Sequence, residues 1–166
     1  MAGGRADALW HFARTVYGRP GVATACLELQ DRFDANVVLL LYAAWAGAVH
    51  GIALTDADLA QARSTAVPWH TDVVEPLRHV RRRLKFGPAP APSPATAELR
   101  ARLQALEIDA ERLELAALAA VLPTDSDTDS DTLDYADAAA ANLSRLVPAP
   151  AAAPFLAVLA YTARTV

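Results

Sequence analysis

The sequence predicts an all-α fold, a compact bundle of about seven to eight helices with one buried central helix. Three observations lead there. Apolar side chains recur at three- and four-residue spacing through most of the 166 residues. The run from Val37 to Val49 is apolar nearly all round, as befits a helix surrounded by others. No apolar/polar alternation of the strand type persists over a useful length. With 54% apolar and 20% charged residues the chain has enough core-forming side chains to fold, and its many alanines favour helix.

Residues 7–17 read as a first helix, with Leu9, Phe12, Ala13 and Val16 on one side. Gly18-Arg19-Pro20-Gly21 breaks it, with Pro20 expected in the opening turn of the next helix. That helix runs to about Phe33, with Val22, Cys26, Leu29 and Phe33 as its stripe. Asp34-Ala35-Asn36 supplies the break, because Asp and Asn satisfy the free amides of a helix start. The central helix follows and Gly51 ends it. Thr55 and Asp58 have the spacing of a capping box for a short helix to about Ala66, stopped by Pro68. A fifth helix spans roughly Asp72 to Lys85, with Pro76 in its first turn or at a kink.

Residues 87–95 form a Pro/Ala linker, expected to be extended and semi-rigid. A long helix follows from about Ala97 to Leu122. Leu99, Leu103, Leu106, Ala110, Leu113 and Ala117 lie four and three residues apart along it, a coiled-coil-like seam. The polar loop 124–131 precedes a helix at about 132–147, and a last apolar helix spans about 154–163. One domain, 1–166, is expected, with a five-helix part at 7–86 and C-terminal helices at 96–166. A helical hairpin alone would bury little surface.

Charge and cysteine usage narrow the function classes. The net charge is −4, which disfavours a general nucleic-acid coat. Residues 1–90 carry ten Lys/Arg and eight Asp/Glu (+2), and residues 91–166 carry five and eleven (−6), so the two parts can attract each other. The lone Cys26 excludes an internal disulfide framework and suits a reducing compartment. No secretory leader is recognisable and no apolar run approaches the roughly 20 residues a membrane span needs. A cytoplasmic location without a membrane span is the expectation.

The sharpest surface feature is Arg78-His-Val-Arg-Arg-Arg-Leu-Lys85, an amphipathic basic helix. Arg78, Arg81, Arg82, Arg83 and Lys85 are candidate contacts to another protein or an acidic surface, with RNA as an alternative partner. Pairing of these arginines with Glu107, Asp109 or Glu111 would instead make them structural. Asp72, Glu75 and His79 share a helix side, but the paired Glu-x-x-His pattern of di-metal bundles is missing, so neither metal nor cofactor is expected. Asp125, Asp127, Asp129 and Asp131 begin like a calcium loop, but Ser130 and Ala136 stand where glycine and glutamate are needed. His11, His50 and His70 are isolated and read as packed or helix-end residues, and Cys26 as an inert core thiol. No phosphate loop, nucleophile elbow or HExxH motif marks a catalytic centre.

The first half resembles a proteobacterial family of small all-helical proteins, a domain of unknown function. The residues that carry the resemblance are Trp10, Tyr17-Gly18, Gly21-Val22, Cys26-Leu27-Glu28-Leu29-Gln30-Asp31-Arg32, Leu39-Leu40-Leu41, Trp45, Trp69, Pro76-Leu77-Arg78, Arg81-Arg82 and Leu84-Lys85, over about 7–86. The chain departs from the family at Asp34, Asn36 and Val38, where relatives tend to carry Gly, Asp and Asn. The resemblance implies a fold and no reaction.

The leading expectation is a non-enzymatic interaction or regulatory protein that uses the basic helix. An alternative is a small-molecule-binding protein or enzyme with a pocket between the second, third and fifth helices, lined by Tyr17, Gln30, Asp31, Trp45 and Trp69. A homodimer through Leu99, Leu103, Leu106 and Leu113 is a further expectation.

Overall fold

The computed structural model describes residues 2–124 and 135–166, all in helices or short connections. The helices are α1 (Ala2–Tyr17), α2 (Val22–Phe33), α3 (Val37–His50), α4 (Asp56–Trp69), α5 (Glu75–Arg83), α6 (Pro94–Ala120), α7 (Tyr135–Leu146) and α8 (Ala153–Ala163). A π turn at His70–Val74 joins α4 to α5 as one continuous rod. Among the described residues no helix is long and apolar enough to cross a membrane.

Local chemistry sets most boundaries. Gly21 sits at φ 83°, so α2 starts after it, and Pro20 precedes the helix instead of opening it. The Asn36 side chain accepts from the Leu39 amide and starts α3. Gly51, at φ 66°, ends α3 in the left-handed conformation that glycine adopts without strain. Thr55 and Asp58 form the reciprocal capping box at the head of α4. A second box, Ser93 with Thr96, starts α6 at Pro94, inside the Pro/Ala stretch. That stretch turns instead of extending: the Ala91 amide donates to the Pro88 carbonyl at 2.8 Å.

Pro68 does not stop α4. The helix passes through it and then widens, with the Glu75 amide donating five residues back to the His70 carbonyl. In a regular α register the Pro76 ring would meet the carbonyl four residues before it, and the wider turn relieves that clash.

α3 is the centre of the bundle. Residues 38–47 are all buried, among them Tyr42 and Trp45. α7 lies across α3 so closely that a Cβ on Gly47 would overlap the backbone of Ala138 and Ala139. Asn142 of α7 fastens the crossing: its amide nitrogen donates to the Ala43 and Ile52 carbonyls (3.1 and 2.8 Å), and its oxygen accepts from the Leu54 amide (2.9 Å). α8 covers α2, and α1 and α5 lie along α6.

The expected seam on α6 is not the buried one. Leu99, Leu106 and Leu113 are 44, 54 and 60% exposed. The helix instead buries Thr96, Glu107, Ala110, Glu114, Leu115, Leu118 and Ala119. Three of its glutamates, Glu107, Glu111 and Glu114, meet basic side chains of the α4–α5 rod on that side. The leucines proposed for a homodimer therefore lie on the outer side of α6, and partly buried Leu103 lies at its edge.

Candidate functional site: a polar spine between two clefts

The rod made by α4, the π turn and α5 runs along α6, and its polar side chains point into the contact. Arg78 donates from Nε to Glu107 Oε1 (2.8 Å) and from its terminal nitrogen to Glu111 Oε1 (2.9 Å). Arg81 donates from Nε to Glu107 Oε2 at 2.5 Å. Such charge-assisted pairs are short and directional. Burial favours the neutral form of Glu107, but its hydrogen bonds and charge contacts with Arg81 and Arg78 outweigh this and hold the carboxyl below its ordinary range. The same hydrogen bond to Glu107 raises Arg81. Burial instead lifts Glu111 above the usual range, with only partial relief from Arg78.

One helical turn along α6, Glu114 is 1% exposed. Its Oε1 accepts from Asn36 Nδ2 at 2.7 Å and its Oε2 lies 3.0 Å from His70 Nδ1. Asn36 thus has two tasks, capping α3 with its oxygen and anchoring Glu114 with its nitrogen. Glu107, Glu111 and Glu114 form a carboxylate row on α6, met by Arg78, Arg81 and His70 across the interface.

This spine separates two clefts. The first, of about 490 Å³, lies between α1, α2, the start of α3, α5 and α6. Trp10, Tyr17, Leu27, Val38, Leu41 and Ile108 give it apolar walls, and Arg78, Arg81, Glu107 and Glu111 its polar lining. Four arginines (14, 78, 81 and 82) against two glutamates (107 and 111) leave two positive charges in excess. Burial, then the Cys26 and Glu111 groups, raise the Tyr17 phenol above its usual range, so it stays a neutral donor at pH 7. The second cleft, of about 520 Å³, lies between the α2–α3 turn, the π turn and α5. Asp31, Asp34, Asn36, His70, Glu75, His79 and Arg82 contribute to it, and Gln30, Arg78 and Arg82 border both clefts.

The residues singled out in the sequence divide accordingly. Tyr17 and Gln30 line the first cleft, and Gln30 and Asp31 the second. Trp45 and Trp69 line neither. Trp45 is 2% exposed in the core, edge-on to His50, and Trp69 hangs over α6 with its indole nitrogen donating to the Ala110 carbonyl at 2.9 Å. Of the five basic candidates, Arg78 and Arg81 face inward to the glutamates, Arg82 stands half exposed 3.8 Å from Asp31, and Arg83 and Lys85 face outward. The aspartates at 125–131 fall outside the described residues. Sequence reasoning missed Asn36 as a ligand of Glu114, Glu114 itself, and His70 as a member of the spine. The available signal was the spacing of Glu107, Glu111 and Glu114, which puts three carboxylates on the helix side that also carries Ala110 and Leu118.

The model of the family described as "Protein of unknown function (DUF2390)" matches residues 8–118. The chain belongs to that family. The matched span holds every residue of the spine, from Asn36 to Glu114, as well as Trp10 of the first cleft, and ends before α7. No curated protein and no solved structure matches the DUF2390 chain.

Proposed function

We propose that this DUF2390 protein binds a small organic anion, with the ligand's apolar body against Trp10, Leu27 and Ile108 and its anionic group toward Arg78, Arg81 and Arg82. One observation carries the reading: the first cleft joins apolar walls to an arginine cluster that its two glutamates only half neutralise. Arginines already oriented by Glu107 and Glu111 need little further ordering to receive a carboxylate or sulfonate, and preorganisation of this kind favours binding. Bundle proteins place ligands between helices in this manner. The internal use of Arg78 and Arg81 supports a cleft wall over a free basic face for a protein or RNA partner.

The test is a thermal-shift series with 1-naphthoate and octanoate set against 1-naphthamide and octanamide. Ligands that bind only the folded state raise its stability by mass action, about 2.7 kcal/mol at a hundredfold excess over Kd. The carboxylates should raise Tm, the amides should not, and Trp10→Ala should diminish the response. Equal responses to acid and amide, or none to either, would remove the proposal.

A further inference from the structure

α6 turns its buried glutamates to one side and leaves the other side uncovered. Leu99, Leu106 and Leu113 all stand exposed on that outer side. Seven residues are almost two helical turns, so the three leucines form one straight row. Trp69 adjoins the row: it is exposed, and its indole nitrogen donates to the carbonyl of Ala110, which lies between Leu106 and Leu113 along the helix. Single exposed apolar residues are ordinary, but a contiguous row of this kind marks a contact surface.

The charges beside the row indicate what covers it. Arg102 and Asp109 are exposed along one edge of the row, and neither has a hydrogen-bond or ion-pair partner among the described residues. Arg102 stands four residues before Leu106 and Asp109 three after it. A two-fold axis through Leu106, perpendicular to the helix, sets α6 antiparallel to a copy of itself. It carries Leu99 onto Leu113 of the second copy and keeps each edge of the row on its own side. Arg102 then lies within one residue, about 1.5 Å along the helix, of Asp109 of the second copy. Symmetry makes the same pair again at the other end, as in any isologous contact. A parallel pairing would put Arg102 and Asp109 on opposite edges, where no such pair forms.

We infer that the protein forms an antiparallel homodimer through the outer face of α6, with the Leu99, Leu106 and Leu113 row at its centre and two reciprocal Arg102–Asp109 pairs fixing the register. Exposed ion pairs add specificity more than affinity. Three leucines and one indole per copy make a smaller face than that of a permanent dimer, so the association is reversible. Leu99, Arg102, Leu106, Asp109 and Leu113 line neither cleft, and the dimer is independent of ligand binding there.

Sedimentation equilibrium of the full chain from about 10 μM to about 1 mM should show a monomer–dimer equilibrium. Leu106→Lys should weaken it by about ten-fold or more. Because Leu106 is exposed, that variant should melt with the native chain at concentrations where both are monomeric. Arg102→Asp and Asp109→Arg should each weaken the dimer by about five-fold, since like charges then meet twice, and the two together should restore it to within about two-fold. Cysteine variants report the direction. Under mild oxidation Leu106→Cys should link to itself, and Leu99→Cys should link to Leu113→Cys in a mixture but not to itself, given the short reach of a disulfide. The native Cys26 is buried and does not compete. A chain that stays monomeric to about 1 mM would overturn the inference. So would a dimer that ignores Leu106→Lys, charge reversals that fail to rescue each other, or Leu99→Cys linking to itself.

Discussion

Arg81 donates from Nε to Glu107 Oε2 at 2.5 Å, and the glutamate that receives it is 5% exposed on α6. This pair, with Arg78 on the other oxygen, turns the most basic segment of the chain into an internal wall. Removing the charge of Glu107 leaves Arg81 without its counter-ion and Arg78 with Glu111 alone, a far larger loss than breaking an exposed pair. Glu107→Gln should therefore cost about 2 kcal/mol or more in urea denaturation at pH 7.

The pH dependence separates Glu107 from its neighbour Glu111. The folded-state pKa of Glu107 lies below its ordinary value of 4.5, so its stabilisation is present above that value and is lost as pH falls through the folded one. The penalty of Glu107→Gln should shrink in acid. Glu111 is raised, mainly by burial, so its ionised form costs stability at neutral pH, and the cost disappears as pH falls through its folded value. Glu111→Gln keeps an acceptor for Arg78 and should be neutral or stabilising at pH 7. Urea midpoints of both variants at pH 7 and pH 4 check the opposite signs.

Gly47 is where α3 and α7 touch backbone to backbone. A methyl group there has nowhere to go, because the obstructing atoms are the main chain of Ala138 and Ala139 and not a side chain that can swing aside. Gly47→Ala, normally favourable in a helix, should destabilise the protein by about 3 kcal/mol. A thermal melt would show it as a lower Tm. An unchanged Tm would mean that α7 does not lie on α3 as described.

Cys26 is 1% exposed in the α2 stripe, and burial pushes its thiol up to about 12. The thiolate is the reactive form, so the native protein should give no reaction with Ellman's reagent at pH 8 over minutes. One thiol per chain should titrate in about 6 M guanidinium chloride, where the fold is lost.

How far the sequence foretold this molecule depends on whether a residue's role is local. Gly51, Asn36 and the Thr55–Asp58 box act through their own backbone neighbours, and all three were legible as helix ends. The stripe Val22, Cys26, Leu29 was legible because only apolar groups compete for that face. α6 misled because its buried face carries Glu107 and Glu114, and a carboxylate looks solvent-facing until its partner is known. Those partners, Arg78, Arg81 and His70, lie 26 to 44 residues away in sequence. The helix thus buries charge and leaves Leu99, Leu106 and Leu113 outside, the reverse of an apolarity count. Pro68 misled for a related reason: it was read as a stop, but the helix passes through it and the π turn beyond lets the rod continue into α5, whose first turn holds Pro76 as expected. Tyr17, Gln30 and Asp31 line clefts. Trp45 and Trp69 line neither, because size and aromaticity alone do not distinguish a core ring from a lining one.

Arginine side-chain NMR tests the inward-facing basic helix most directly. In a 1H–15N spectrum of the Nε–H groups, Arg78 and Arg81 should give sharp signals at pH 7 that exchange with water at least about ten-fold more slowly than that of outward-facing Arg83, as expected for buried charge-assisted donors. Exchange at Arg78 and Arg81 as fast as at Arg83 would mean that the arginines do not close on Glu107 and Glu111, and that neither cleft has the wall described for it.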